Sequence, residues 1–300
     1  MLGAVMSDAG QGVIQGVCWH RFDSLEAYET ELRLNEALWH ARSSWSESLQ
    51  TTQKQLGDYP GHCGVCQRPS VFTYSPEIQE VNVREALVCT GCQLNARHRA
   101  VWAWMQHAFP TDRRWALYLT EQATRFYQAS KQHWPGTRGS EYFPVSAFER
   151  LSAYVTHLLG EHEVLRWEDV CRLSLKDQSI DGLVCLEVLE HVPDYEAAVA
   201  EFLRVLKPGG QLIITVPFLD RTHETLVRAR LTEQGEIEHL CPPEYHGDPV
   251  DGEGILAYYH FGWDLLDSLR EVGFSKAQWC IPWAPSMGLF SRLWTLMATR

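Results

Sequence analysis

Along this chain the spacing of apolar positions changes from one stretch to the next, and each change predicts an element. The clearest pattern runs through residues 178–218. Ile180, Leu183, Val184, Cys185 and Leu186 form an apolar block of strand length. Asp194 then stands at an N-cap position, and Ala197, Val199, Phe202, Leu203 and Leu206 recur with helical spacing. Lys207-Pro208-Gly209-Gly210 stops that helix, because proline cannot continue it and glycine accepts the left-handed conformation beyond it. Residues 211–218, rich in Leu, Ile and Val, make a second strand. A strand, a crossover helix and a strand of these lengths form a parallel β-α-β unit.

The same alternation extends upstream. Strands are predicted at 115–120, 139–143 and 164–167, and helices at 121–132 and 144–159. Together these predict an α/β domain of the Rossmann-like, doubly wound type, with helices on both faces of a parallel sheet. Downstream, 225–231 and 236–240 flank Thr232-Glu233-Gln234-Gly235 as a hairpin. A helix is expected at 261–272, and the last two strands at 279–283 and 293–298. Residues 24–55 lack glycine and proline and carry Leu25, Tyr28, Leu32, Leu38, Trp45 and Leu49, which predicts one long helix interrupted once. Its aromatic stripe reads as a packing face, with dimerisation through this helix as the alternative. Residues 1–19 show little pattern and are expected to be loosely ordered. The expected organisation is an N-terminal helical segment (1–57), a cysteine-rich module (58–110) and the α/β domain (111–300), with an insertion at 219–260.

Composition narrows the class. Of the 300 residues, 45% are hydrophobic, enough for a sizeable core. The 38 acidic and 26 basic side chains give a net charge of -12, which argues against a nucleic-acid or acidic-membrane partner and favours a small-molecule substrate. No apolar run reaches membrane-spanning length, and residues 1–16 lack the basic start of a secretory signal. Nine cysteines, four of them in paired spacing, fit a reducing, cytoplasmic setting.

Those four are Cys63, Cys66, Cys89 and Cys92. Each Cys-x-x-Cys turn can set two thiolates on one tetrahedral ion, and the short extended stretches between them suit a zinc ribbon. The alternatives are an iron–sulfur cluster or four buried or disulfide-linked cysteines. Four thiolates fill a tetrahedral shell, so a zinc ion here would be structural. Arg97 and Arg99 follow at the start of the next helix, either as a solvated basic face or as an anion contact.

Asp177, Asp181, Leu189-Glu190-His191-Val192 and Leu206-Lys207-Pro208-Gly209-Gly210, set around two apolar strands, resemble the second half of a class I S-adenosylmethionine (SAM)-dependent methyltransferase domain. The match is specific over 164–218 and looser from 114 onward. It looks like a bacterial subgroup carrying an N-terminal Cys-x-x-Cys module. The resemblance implies that Glu141, followed by Tyr142, closes the second strand on the ribose diol of SAM. It implies that Asp169 and the Val170 backbone hold the adenine, and that Leu186 and Glu187 end the fourth strand beside the sulfonium. One departure is plain: the usual Gly-x-Gly-x-Gly turn is replaced by Thr120-Glu121-Gln122-Ala123-Thr124, and Tyr118 stands where the strand usually carries an acid. Glu121 is therefore expected to hold the methionyl ammonium, and Arg97 or Arg99 its carboxylate.

The insertion concentrates Tyr245, His246, Tyr258, Tyr259 and His260, in a loop of the kind that carries substrate chemistry. His191, His246 and His260, with Tyr245, are the candidate catalytic residues, since an imidazole titrates near neutrality and can take an acceptor's proton. The leading expectation is methyl transfer to oxygen or nitrogen of a small molecule. The alternatives are transfer or cyclisation of the aminocarboxypropyl group with release of methylthioadenosine, and a zinc-ribbon docking protein with an inactive SAM domain.

Overall fold

The computed structural model describes residues 11–14, 16–56, 58–74, 82–247, 254–290 and 292–300. The chain divides into two compact units, residues 1–113 with 278–295, and residues 114–277 with 296–300. The first unit thus gathers the helical segment, the cysteine module and a C-terminal stretch that the sequence assigned to the α/β domain.

The first unit opens with a hairpin of β1 (Gln11–Ile14) and β2 (Val17–Phe22), where no regular structure was expected; residues 1–10 lie outside the described residues. The reason is tertiary. Trp19 and Phe22 are buried, and β2 pairs with residues 279–283, which no local pattern could announce. Two helices follow, α1 (Leu25–Leu34), capped by the Ser24 hydroxyl, and α2 (Glu36–Leu56). The break at Asn35 is the one interruption expected. Trp45 on α2 packs against Tyr59, Trp283 and Phe290, with ring centroids 5.0–6.3 Å away, so the aromatic stripe is a packing face. Next come β3 (Asp58–Cys63), β4 (Arg68–Tyr74), a single turn α3 (Val83–Ala86) and β5 (Leu87–Cys89), the three strands forming an antiparallel sheet. Of the second extended stretch expected between the cysteine pairs, residue 81 lies outside the described residues and 83–86 form the α3 turn, which Asn82 caps from its side chain, so the strand begins only at Leu87. Helix α4 (Ala96–Ala108) closes this part and is capped by Asn95.

The second unit is the α/β domain. Its elements are β6 (Leu117–Leu119), α5 (Arg125–His133), β7 (Arg138–Gly139), α6 (Phe148–Leu159), β8 (Ile180–Leu186), α7 (Tyr195–Val205) and β9 (Leu206–Thr215). Leu206, read from sequence as part of the helical face, already pairs with Ile180 as the first residue of β9. The inserted segment folds into short strands: β10 (Leu226–Val227), β11 (Ala229–Leu231), β12 (Ile237–His239), β13 (Tyr245–His246), β14 (Ile255–Leu256) and β15 (Tyr259–His260). The expected hairpin is there as β11 and β12, with Gly235 at φ +79° in its turn. Residues 248–253 of the polar loop lie outside the described residues. Helix α8 (Asp264–Val272) and strands β16 (Lys276–Trp283) and β17 (Thr295–Thr299) complete the chain.

Within this unit the sheet runs β7-β6-β8-β9-β17. The β6–β7, β6–β8 and β8–β9 pairings are parallel, whereas β17 is antiparallel to β9, so the sheet is mixed. The third strand expected at 164–167 is reduced to one parallel bridge between Glu141 and Trp167. Leu183, Val184, Leu212, Ile213 and Ile214 are wholly buried in the central strands, with Phe202 and Val205 of α7 buried alongside.

Candidate functional site

From β6 the chain winds outward through β7, then returns to the other side of β6 to form β8. That reversal makes the carboxyl ends of β6 and β8 the place where a sheet of this kind leaves a crevice. The register brings polar residues there in a row. Leu119 pairs with Gly139 on one side and Val184 on the other. Two residues further, Glu121 and Glu141 lie just beyond β6 and β7, and Leu186 ends β8; Glu141 bridges Trp167 and Leu186 pairs with Thr215. Glu187 follows at φ +54°, a left-handed conformation that is strained for a residue with a side chain, while its N–H donates to the Thr215 carbonyl at 2.8 Å. Asp169 lies two residues beyond Trp167, accepts from the Cys171 N–H at 2.9 Å, and is followed by the buried Val170.

The turn without glycines is held by side chains instead. One Glu141 oxygen accepts from the backbone N–H groups of Gln122 and Ala123, at 2.6 and 2.5 Å. Gln122 is completely buried; its amide donates to the Val164 carbonyl and accepts from the Arg166 N–H, both at 2.9 Å. A side chain thus spans from the first strand's turn to the third-strand position. Gln122 was not among the residues singled out from sequence, and nothing in a lone glutamine signals such a bridge. Gly139 permits the close approach, since a Cβ there would lie 2.4 Å from the Glu121 carbonyl oxygen. Beside this turn, Tyr142 and Trp167 are both exposed with ring centroids 5.6 Å apart. Tyr118 is buried and hydrogen-bonded to Ser140, so it offers no charge to a ligand.

The two arginines are engaged within their own unit. Arg97 forks onto Glu85, with Nε to Oε1 at 2.8 Å and Nη2 to Oε2 at 3.1 Å. Arg99 is buried and donates to the carbonyls of Leu87, Leu94 and Gly288. Both guanidiniums thus already have partners of their own, and the expectation that one of them holds a cofactor carboxylate is not part of the proposal below.

The candidate catalytic histidines do assemble. His246 and His191 meet ring edge to ring face, with centroids 4.9 Å apart. Glu244 Oε1 lies 3.1 Å from His246 Nε2 and 3.1 Å from His260 Nε2, and Arg228 reaches the other Glu244 oxygen at 3.1 Å. His191 Nδ1 lies 2.9 Å from the Leu256 carbonyl, which fixes the proton on that nitrogen. The residue the sequence reading missed as a participant is Glu190, fully buried between His191 and His246. Burial pushes its carboxyl up to about 7 against the pull of His246, and the imidazole of His246 is raised to about 9, chiefly by Glu190. Its place beside His191 in the motif was the available signal. Tyr245 is exposed and stands outside this cluster among the described contacts.

With this geometry in view, residues 130–214 match the family model described as a methyltransferase domain. The α/β unit carries a methyltransferase domain. Among curated relatives, the chain is 28% identical over 117 residues to a demethylmenaquinone methyltransferase of Streptomyces avermitilis, covering 37% of this chain and 49% of that one. It is 48% identical over 44 residues to a ubiquinone biosynthesis O-methyltransferase of Xanthomonas oryzae pv. oryzae, covering 15% and 18%. The chain thus spans about half the length of the first of these relatives and under a fifth of the second. A solved SAM-dependent methyltransferase from Mesorhizobium loti aligns with a TM-score of 0.43 at 16% identity, covering 67% of this chain and 98% of that one.

Outside the methyltransferase domain, the first unit holds the four paired cysteines together. Cys63 and Cys92 sulfurs are 3.8 Å apart, as are those of Cys66 and Cys89, and all four lie within 4.8 Å of one another. A disulfide needs about 2.05 Å between sulfurs, so these are four convergent thiols. Gly91 lets the second turn come close, since a Cβ there would lie 2.9 Å from the Cys66 sulfur. Buried Arg99 on α4 brings its positive charge near all four sulfurs.

Proposed function

We propose that this protein is a SAM-dependent methyltransferase acting on an oxygen of a small-molecule acceptor. The observation that supports the reading is the register of the strand ends, with Glu121, Glu141 and Glu187 just past β6, β7 and β8 and Asp169 two residues past the Glu141–Trp167 bridge, at the edge where sheets of this kind bind ligands. When bound there, SAM supplies a sulfonium methyl group for in-line displacement. Glu141 would hold the ribose, Asp169 and the Val170 N–H the adenine, Tyr142 would pack on the nucleoside, and Leu186 and Glu187 would flank the sulfonium. Glu121 would hold the methionyl ammonium. Four of the curated relatives are named as ubiquinone biosynthesis O-methyltransferases, which supports oxygen as the acceptor atom.

The histidine cluster stands after the same strand end and would receive the acceptor's proton as the new C–O bond forms. His191, with its proton fixed on Nδ1, presents Nε2 as an acceptor. The net charge of -12 supports a small substrate rather than a nucleic acid, and among the described residues no helix is long and apolar enough to cross a membrane. In the first unit the cysteine cluster fits zinc. A tetrahedral ion with Zn–S bonds of about 2.3 Å has sulfur edges of about 3.8 Å, which is the spacing of both measured pairs. Of the divisions expected from sequence, this proposal retains 58–110 as the zinc-binding module, while 278–295 groups with the first unit.

Incubating the purified chain with SAM and candidate hydroxylated acceptors, then identifying the nucleoside product, tests the reading. S-adenosylhomocysteine is expected. Methylthioadenosine would instead assign the aminocarboxypropyl chemistry, and absence of SAM binding by calorimetry would overturn the enzyme assignment.

A further inference from the structure

Glu190 poses a problem that hydrogen bonding does not solve. It is fully buried, and neither carboxylate oxygen has a hydrogen-bond partner among the described residues. A buried carboxylate without a partner is strongly disfavoured. Yet two imidazole nitrogens point at the same oxygen, His246 Nδ1 at 3.6 Å and His191 Nε2 at 3.8 Å. These gaps are too long for hydrogen bonds and close to what a shared ion leaves. Nitrogen and oxygen ligands about 2.1 Å from a tetrahedral cation sit about 3.4 Å apart. A contraction of a few tenths of an ångström would bring both gaps to that length, and the three ligand atoms lie within 4.8 Å of one another.

We propose that Glu190, His191 and His246 form a binding site for a divalent transition-metal cation in the methyltransferase domain, separate from the four cysteines. The outer partners of both histidines suit that role. His191 directs its Nδ1 proton to the Leu256 carbonyl at 2.9 Å, leaving Nε2 as the ligand. His246 directs Nε2 to Glu244 at 3.1 Å, leaving Nδ1 as the ligand. Metal-binding histidines are held in this way, with the second nitrogen on a carbonyl or carboxylate. Two imidazoles and one carboxylate suit zinc, iron(II) or manganese(II) more than magnesium. Glu187 adds negative charge beside Glu190, which the cation would offset.

Three protein ligands leave coordination positions open, as in a catalytic rather than a structural site. Resting on the proposed methyl transfer, this deepens it. The open positions would take the acceptor's hydroxyl oxygen, and the cation would lower that hydroxyl's pKa so that it attacks as an alkoxide or phenoxide. With the cation in place His191 Nε2 would be a ligand and no longer the proton acceptor, so the proton lost would leave to solvent as the oxygen–carbon bond forms and the sulfur–carbon bond breaks.

The test is equilibrium dialysis of the full chain against zinc, with metal analysis and a SAM titration on the same samples. Wild type should hold one metal equivalent more than Glu190→Gln and than His246→Ala. Glu244→Gln, which alters only the outer partner, should weaken that equivalent about tenfold. Melting curves establish that each variant is folded; His246→Ala, on a half-exposed strand, serves if Glu190→Gln is not. Equal metal content in wild type and a folded variant overturns the site. Loss of SAM binding by wild type with the extra equivalent present would overturn the methyltransferase reading and leave the metal site standing.

Discussion

Glu141 offers the sharpest test of how a turn without glycines can serve a nucleotide. Its carboxylate is only half-buried, but one oxygen accepts two backbone N–H groups at 2.6 and 2.5 Å. A hydrogen bond to a charged group contributes roughly 1.5–3 kcal/mol. Water can reach this turn, so part of that is recovered when the carboxylate is lost. A net cost of about 2 kcal/mol for ordering residues 120–124 is a reasonable magnitude. That corresponds to about a 30-fold weaker SAM dissociation constant for Glu141→Ala from the turn alone, and about 100-fold or more if the ribose contact is lost as well. Glu141→Gln retains one carbonyl oxygen and should lose only about fivefold. Calorimetric titration with SAM measures both, and hydrogen exchange of the Gln122 and Ala123 amides without SAM isolates the turn. Exchange should accelerate in Glu141→Ala. If SAM affinity stays within twofold of wild type while the amides lose protection, the turn does not govern the site. If the amides stay protected, the hydrogen bonds described here are not what holds it.

Three further outcomes follow from other parts of the chain. Cys89→Ser, or a strong chelator, should release one zinc equivalent and lower the melting temperature by removing the ion that ties the turn after β3 to the turn after β5; a metal-sensitive dye and a melting curve check this, and unchanged stability would refute a structural ion. His20 is buried beside Arg42 at 2.5 Å, and burial first, then Arg42, lowers its pKa from 6.5 to about 4. The unfolded chain therefore binds the extra proton first, so stability is full above pH 6.5 and falls by about 3 kcal/mol as pH drops to 4; urea unfolding of wild type and His20→Gln at several pH values should show a flatter dependence in the variant. Gly139→Ala would put a methyl 2.4 Å from the Glu121 carbonyl oxygen and 2.6 Å from the Tyr127 ring, a clash expected to cost about 1–3 kcal/mol in denaturant unfolding.

Much of this protein was legible from its residues alone. The strand, helix and strand from Ile180 to Thr215 are local facts, written in apolar spacing, an Asp194 cap and a proline-glycine stop. So was the convergence of four cysteines, because Cys-x-x-Cys spacing constrains geometry over a few residues. What the sequence could not announce was set by partners distant along the chain. Strand β2 exists because residues 279–283 lie beside it. Gln122 matters because Val164 and Arg166 lie within reach of its amide. Arg97 and Arg99, read as anion contacts, turned to Glu85 and to buried carbonyls, since a guanidinium near unpaired acceptors in a packed unit is bound before any ligand arrives. Glu190 looked like one letter of a motif until β13 carried His246 to within 3.6 Å of its carboxylate. Periodicity and short-range spacing report what a residue does with neighbours a few positions away. Burial and pairing across tens of residues arise only when the chain closes on itself, and in this protein the chemistry lies there.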